Sequence, residues 1–210
     1  MKMIEKENIG ETEKRILEAA RIVFLEKGLD RAKMQDIADT ANISRTALNY
    51  YFRKKENLYK GIFEQIFYTI VPSVDSIISK RIPVLDKLNS IIDIYDNMFR
   101  ENRTFPKFIF TELQRNPKMM IQYFKGNKDA QKYLGRIISL LENEMAKGNI
   151  RKIAIGQIIT TFFSLLVAPY LLNPIICEYL GSYDQVTDQL LDEHKNIAKE
   201  VMENLLKLSN

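Results

Sequence analysis

The sequence predicts an all-α protein, and its length allows either one large domain or a small domain followed by a larger one. Apolar residues recur at helical spacing in every long segment, and no segment shows sustained alternation of period two. Glycines and prolines number only eight and six in 210 residues, which favours helices over a turn-rich β fold. With 46% hydrophobic and 28% charged residues, the chain has enough apolar side chains to fill a core.

The first helix is predicted from about residue 11 to residue 27. Its apolar stripe consists of Ile16, Ala19, Ala20, Val23 and Phe24. Gly28 follows, and glycine readily adopts the left-handed conformation that often ends a helix. Because two short helices alone bury little surface, we expect this stripe to pack against the pair that follows.

Residues 33–58 predict two short helices joined by a tight turn. One apolar face of the first of them is formed by Met34, Ile37, Ala38 and Ala41, at positions i, i+3, i+4 and i+7. Asn42 tolerates the left-handed conformation that a sharp turn needs. Ser44 is a favourable N-cap residue for the second helix.

The second short helix, over residues 45–52, has two opposed faces. Its apolar side carries Ala47, Leu48, Tyr51 and Phe52. Its polar side carries Arg45, Thr46, Asn49, Tyr50 and Arg53. Guanidinium, hydroxyl, amide and phenol groups read base edges and bind phosphates, so the pair is a helix-turn-helix candidate. The two-face pattern alone is equally compatible with an ordinary surface hairpin.

Several short motifs distinguish between these alternatives. They are DIA at 36–38, A-x-I-S at 41–44, LNYYF-x-x-K-E-x-L at 48–58, and the upstream Ile16-Leu17-x-Ala19-Ala20 and Phe24-x-x-x-Gly28. In this order and spacing, over roughly residues 11–62, they resemble the TetR family of bacterial transcriptional regulators. The turn departs from the family pattern by having Asn42 instead of glycine, and Lys33 stands where the family usually has Thr or Ser.

The resemblance implies a helix-turn-helix DNA-binding domain over residues 1–58 and a ligand-binding and dimerisation domain over residues 59–210. It implies a homodimeric regulator, most often a repressor, that leaves a palindromic operator in double-stranded DNA when a small effector binds. The single cysteine and the lack of an apolar run in the first ten residues lead us to expect a cytoplasmic location.

The basic residues of this region are the expected DNA contacts. Residues 31–60 hold seven Lys or Arg against three acids, an excess that equals the net charge of the whole chain, +4. We expect Arg45 and Asn49 to read bases, with Thr46 beside them, and Tyr50 to bind a phosphate. By resemblance, Lys55 grips the DNA backbone. The remaining candidates are Arg53 and Lys54, equally compatible with a solvated loop, and Lys33, which offers a charge in place of the family's hydroxyl.

A fourth helix is predicted from residue 54 or 55 to beyond residue 70. Pro72 either ends this helix or kinks it, because proline cannot donate to the carbonyl of residue 68. Further helices are predicted over 83–100, 105–115, 128–147, from 153 onward, and over about 183–207.

The uncharged stretch from residue 153 to residue 177 is long enough to span a bilayer. Eight glycine, proline or polar residues within it disfavour a membrane span, and a helix buried at a subunit interface explains it better. The predicted dimer interface comprises Ile158, Leu165, Val186, Leu190, His194, Ile197, Val201 and Leu205. His194 is the chain's only histidine, which favours a hydrogen-bonded interface residue over a metal ligand.

Aromatic residues of the second domain are candidates for a pocket that suits a largely apolar ligand. The candidates are Tyr68, Tyr95, Phe99, Phe108, Tyr123 and Phe163. At helical spacing each of them is also compatible with the core. The sequence contains no phosphate-binding glycine loop, metal-ligand spacing or nucleophile motif. We therefore expect no enzyme, no cofactor and no metal.

Overall fold

The computed structural model describes residues 2–180 and 188–208, with side chains from residue 10 onward except at Leu180. In these ranges the chain forms ten helices and no strands, which confirms the all-α prediction. The helices are α1 (Lys2–Arg31), α2 (Met34–Thr40), α3 (Arg45–Tyr51), α4 (Lys55–Ser79), α5 (Val84–Glu101), α6 (Phe105–Arg115), α7 (Pro117–Gly126), α8 (Lys128–Ala146), α9 (Ile155–Leu180) and α10 (Asp188–Leu206).

The helices group into two compact units, Met1–Thr69 and Ile70–Asn210. The division falls inside α4, which contributes residues to both units. The boundary that the sequence suggests, after residue 58, stays a prediction. Pro72 does not end α4, since the helix continues through it to Ser79.

The first unit forms around the apolar stripe of α1. Ile16, Ala20 and Phe24 have no solvent exposure, and Gly28 interrupts the helix with a φ of 74° before it resumes to Arg31. The start of α4 packs on the same core. At Gly61, an added Cβ would lie 3.0 Å from Leu17 Cδ2, so the absence of a side chain lets the two helices approach closely.

The second unit is built on α5, whose buried residues face α9 and α10. Arg100 of α5 binds Asp96 of its own helix at 2.8 Å and Asp192 of α10 at 3.0 Å. Lys199 of α10 adds a contact of 2.6 Å to Asp93 of α5. These charged contacts hold α10 on α5 with its buried seam inward. The sequence interpretation did not include α7, which packs against α6 and α8.

Helix α9 is unusual in being apolar without being buried. Among the described helices, α9 is the one with the length and composition of a membrane span, over Ile155–Tyr179. Only 17% of the most apolar part of this segment is buried. Length and composition alone are weak evidence for a span. They do establish that α9 has a long apolar surface, most of which the single chain leaves exposed.

Candidate functional site

The turn between α2 and α3 has the geometry that its sequence predicts. Asn42 adopts a left-handed conformation with a φ of 54°, and the Ile43 N–H donates to the Ala38 carbonyl at 3.0 Å. Ser44 caps α3, its Oγ accepting from the Ala47 N–H at 3.0 Å. Both predictions are confirmed, and the turn sets the direction in which α3 leaves α2.

The inner face of α3 packs on the core of the first unit. Leu48 has no solvent exposure and Phe52 is buried, as are Ile37 and Ala38 of α2. Each short helix is thereby held by side chains that the two-face pattern assigns to the interior. The outer face of α3 is consequently presented to solvent in one orientation.

That outer face carries the four predicted recognition residues of α3 together. Thr46, Asn49 and Tyr50 are exposed, Tyr50 by 80%, while Arg45 is half-buried. The Arg45 guanidinium donates to Asn49 Oδ1 one turn away, and the Tyr50 ring meets Tyr51 edge-on at a centroid distance of 5.3 Å. A cation, an amide, a hydroxyl and a phenol thus share one accessible surface. Their contacts with DNA stay predictions.

The basic corner after α3 divides into two kinds of residue. Arg53 and Lys54 are exposed, and within the described chain no ion pair engages either of them. Lys55 is different, because its Nζ donates to the carbonyls of Leu29 at 2.7 Å and Asp30 at 2.9 Å. Lys55 therefore ties the end of α1 to the start of α4, a structural role that the sequence interpretation missed.

Lys33, the departure from the family pattern, is exposed and provides no side-chain cap for α2. Asp36 caps the helix instead, its Oδ2 accepting from the Lys33 N–H at 3.0 Å. The Oδ1 of Asp36 lies 3.0 Å from Lys27 Nζ. The backbone hydrogen bond from Lys33, followed by the Lys27 contact, holds the pKa of the Asp36 carboxyl below its usual value. Asp36, in the first turn of α2, thus makes one half of a capping box, which engages a different N–H from the one that a hydroxyl at position 33 would accept from.

A cavity of about 120 Å³ lies within the second unit, between α5, α8 and α9. Its walls are almost wholly apolar, and its polar groups come from Lys87, Tyr95 and Tyr133. The two tyrosine hydroxyls lie 3.2 Å apart, and Lys87 Nζ donates to the carbonyl of Ile78 at 2.8 Å. Burial raises the pKa of both tyrosines, so both are neutral at physiological pH.

The six predicted pocket aromatics have different surroundings. Tyr95 and Phe163 line the cavity. Phe99 and Phe108 are buried outside its lining, and Tyr123 is half-buried on α7. Tyr68 is 55% exposed and belongs to the first unit. Which of these residues touch a ligand stays a prediction.

Several cavity residues were missed by the sequence interpretation because they are aliphatic and read as ordinary core positions. They include Ile91 on α5 and Leu134 and Ile137 on α8. Among the aromatic residues, Tyr133 and Phe162 were also missed. The helical spacing of these residues indicates that they are buried. That they surround a cavity becomes visible only where α5, α8 and α9 pack together in the structure.

Two of the predicted interface residues, Ile197 and Val201, form an exposed apolar strip on α10, whereas the others are less exposed or lie outside the described residues. Ile197 is 52% exposed and Val201 is 40% exposed on α10, while the neighbouring seam of Leu191, Ala198 and Met202 is buried. The half-buried members of the predicted set are Leu165, Leu190, His194 and Leu205. Ile158 is buried within the chain and lines the cavity, so its side chain is not on the strip. Val186 lies outside the described residues.

The remaining polar candidates of the second unit have structural partners. His194 Nε2 lies 2.7 Å from the Leu165 carbonyl, which joins α10 to α9 inside the chain. Cys177 is a free, buried thiol, as expected of a small hydrophobic residue. The described part of the chain contains no group of three His, Cys, Asp or Glu residues that could hold a metal ion.

Comparison with known proteins identifies the helix-turn-helix. Residues 16–62 match the family described as bacterial regulatory proteins, tetR family. Residues 16–62 therefore form a helix-turn-helix domain of the TetR family. The matched segment runs from the stripe of α1 to the first turns of α4, so it contains the turn and the exposed face described above. The first unit accordingly carries a helix-turn-helix DNA-binding domain of the kind found in TetR-family transcriptional regulators.

Similar proteins agree with that assignment of the N-terminal domain. The Staphylococcus epidermidis negative transcriptional regulator IcaR of the biofilm operon icaADBC is 27% identical over 137 residues, which is 63% of this chain and 66% of IcaR. The chain thus spans just under two thirds of that relative. The solved structure of the TetR family regulator PfmR from Thermus thermophilus has a TM-score of 0.65 at 18% identity, covering 93% of this chain and 100% of PfmR.

A further structural neighbour was solved with a ligand. The transcriptional regulator FadR from Bacillus subtilis, in complex with stearoyl-CoA, has a TM-score of 0.66 at 17% identity. The match covers 91% of this chain and 98% of FadR. At such identities the two structures show a shared fold alone, over 91–93% of this chain, which includes most of the second unit.

Proposed function

We propose that this protein is a homodimeric repressor that binds a palindromic operator through α3 and leaves it when a small, largely apolar effector binds. The observation that carries the proposal is the exposed polar face of α3 on a helix whose other face is buried. In our proposal Arg45 and Asn49 contact base edges, Tyr50 binds a phosphate, and Thr46 lies against the groove.

The basic residues around α3 would position the protein on the DNA. Arg53 and Lys54 are exposed cations next to the recognition face, suited to phosphate contacts. Lys55 uses two of its three N–H donors within the chain, which leaves one for a phosphate oxygen. Lys33 supplies a further exposed charge beside α2. These contacts supply affinity without sequence preference, whereas the α3 face supplies selectivity.

Dimerisation is proposed from the apolar surfaces of α9 and α10. Two apolar surfaces are exposed in the single chain: the strip with Ile197 and Val201 on α10, and much of α9. A second copy related by a two-fold axis would bury both against the same surfaces of its own. Two such helices from each protomer would form a four-helix interface. A two-fold dimer presents two copies of α3, which is why we propose a palindromic operator.

The cavity of the second unit is the proposed effector site. Its apolar walls suit an apolar ligand, and the FadR neighbour solved with stearoyl-CoA supports a ligand of that character. IcaR, named a negative regulator, supports repression. The effector must bind the DNA-incompetent state more tightly than the DNA-bound state, because only that difference shifts the equilibrium. Helix α4 starts at Lys55 and lines the cavity with Ile78, so we propose that it transmits effector binding to the helix-turn-helix.

Fluorescence anisotropy tests the proposal by measuring the affinity of the protein for two labelled duplexes over a range of salt concentrations. One duplex comes from upstream of the protein's own gene, and the other has a random sequence. The expected result is a specific complex that keeps an advantage of at least about a thousandfold over random duplex at physiological salt. Random binding should fall steeply with salt, since it depends on phosphate contacts. Equal affinity for both duplexes at every salt concentration would contradict sequence-specific binding to an operator in this DNA.

A further inference from the structure

A second, open depression adjoins the apolar cavity. It has a volume of about 410 Å³ and lies along α8, where Lys132, Gly135, Arg136, Ser139 and Asn143 line it. Ile78 and Leu140 line both this depression and the apolar cavity. The two spaces are therefore neighbours. The cavity is almost wholly apolar, whereas the depression is lined by cationic and hydrogen-bonding side chains.

The depression carries an uncompensated positive charge. Arg136 is paired, since its Nη1 lies 2.7 Å from Asp75 Oδ1 and its Nη2 donates to Ser79 Oγ at 3.1 Å. Lys132 is exposed, and no ion pair within the described residues engages it. Asp129 is the acid nearest to Lys132 along the helix. Near the depression the first half of α8 carries Lys128, Lys132 and Arg136 against Asp129, whereas its other two acids, Glu142 and Glu144, lie toward the C-terminal end of the helix.

Gly135 keeps the floor of the depression open. It lies in the interior of α8, where glycine destabilises a helix by about 1 kcal/mol relative to alanine. Neither a left-handed φ nor a close neighbour requires glycine here, because an added Cβ would meet nothing within 4 Å. The absent side chain therefore serves no packing need of the described chain. It does leave room between Lys132 and Ser139 for a bound group.

We propose that the effector is an anionic amphiphile, with its apolar part in the cavity and its anionic head in the depression against Lys132. This inference rests on the proposed function, in which the cavity is the effector site. A cavity of about 120 Å³ is slightly smaller than the engineered 150 Å³ cavity that binds benzene, so it holds about six carbons of an alkyl chain, and the remaining carbons of a longer chain would lie toward the depression. The head can be a carboxylate or a phosphate, since both accept charge-assisted hydrogen bonds from an ammonium.

Titration calorimetry on the full-length protein with octyl phosphate, octanoate and octanol tests this proposal. The three probes share their chain and differ in the head, so a comparison isolates the head's contribution. At low salt we expect at least one of the anionic probes to bind about tenfold more tightly than octanol. The tighter of the two anionic probes identifies the head group as phosphate or carboxylate.

Two variants locate the head. Lys132→Glu should weaken the tighter anionic probe at least about tenfold and leave octanol binding unchanged. Gly135→Gln fills the depression with a good helix former, and should weaken the same probe without lowering the melting temperature. The matched control is Lys107→Glu, the same charge reversal at an exposed residue of α6 that lines neither space, and it should bind all three probes as the wild type does.

Specific outcomes would overturn the inference. One is octanol binding as tightly as both anionic probes, and another is Lys132→Glu weakening octanol and the anionic probe equally. Absence of binding by all three probes also overturns it. Operator binding by the same preparation is measured separately, so loss of the amphiphile inference and loss of the regulator function give different results.

Discussion

The dimer interface is most directly perturbed at Ile197. Its side chain is 52% exposed in the single chain, and the proposed interface covers it with a second copy. Replacing it with aspartate leaves the buried seam of α10 untouched. The change should therefore separate the protomers without unfolding them.

The magnitude follows from the exposed fraction of Ile197. Complete burial of an isoleucine side chain contributes roughly 1.5–3 kcal/mol, so covering the remaining half contributes about 1 kcal/mol in each protomer. The two-fold axis doubles this to about 2 kcal/mol. Ile197→Asp also brings two like-charged carboxylates into the interface, which adds at least about 1 kcal/mol. A total of at least about 3 kcal/mol corresponds to a dimer dissociation constant raised about a hundredfold or more.

Sedimentation velocity over a range of protein concentrations measures this effect, with circular dichroism to confirm that the variant is folded. Ile121→Asp is the matched control, because Ile121 is 53% exposed on α7 and does not belong to the strip. We expect the Ile197 variant to sediment as a monomer where the wild type and the control are dimers. A wild-type dissociation constant for Ile197→Asp, or dissociation of the control instead, would refute the proposed interface.

Three predictions concern the helix-turn-helix itself. Ser44→Ala removes the Oγ that caps α3 and should lower the free energy of unfolding by about 1 kcal/mol in urea denaturation; an unchanged value would show that the cap contributes nothing. Lys55→Ala should lower it by about 1 kcal/mol because the carbonyls of Leu29 and Asp30 lose their donor, whereas Lys54→Ala should leave it unchanged; equal stabilities would argue against this tie. Because the pKa of Asp36 is lowered in the folded state, its stabilisation is complete above its unfolded pKa of about 4 and is lost as the pH falls through the folded value. Asp36→Asn should thus melt below the wild type at pH 7, the difference should shrink as the pH falls below about 4, and a constant difference would contradict the capping role.

Local interactions explain which parts of the fold were predictable from the sequence. The turn at Asn42, the cap at Ser44 and the two faces of α3 depend on residues within a few positions of one another. Helix α7 escaped prediction because Asn116-Pro117 and Gly126-Asn127 at its two ends are typical of loops, and it packs against α6 and α8. At Pro72 the sequence allows either an end or a continuation, and the structure shows that α4 continues.

The candidate sites depend more on distant contacts. Lys55 has the carbonyl partners Leu29 and Asp30, which lie 26 and 25 residues earlier in the chain, and no local pattern marks them. The cavity forms where α5, α8 and α9 meet, so aliphatic residues such as Leu134 line it while the buried aromatic Phe108 does not. Periodicity identifies which residues are buried. It does not identify which buried residues surround a space.

The central claim is that the exposed face of α3 selects the operator, and the most direct test is the ratio of operator to random-duplex affinity for Arg45→Ala and Asn49→Ala. Each bidentate base contact contributes about 1–3 kcal/mol of discrimination, so each variant should reduce the ratio by roughly 5- to 150-fold. Lys54→Ala, which removes a proposed phosphate contact, should weaken both affinities alike and keep the ratio. Wild-type ratios for Arg45→Ala and Asn49→Ala would contradict the account.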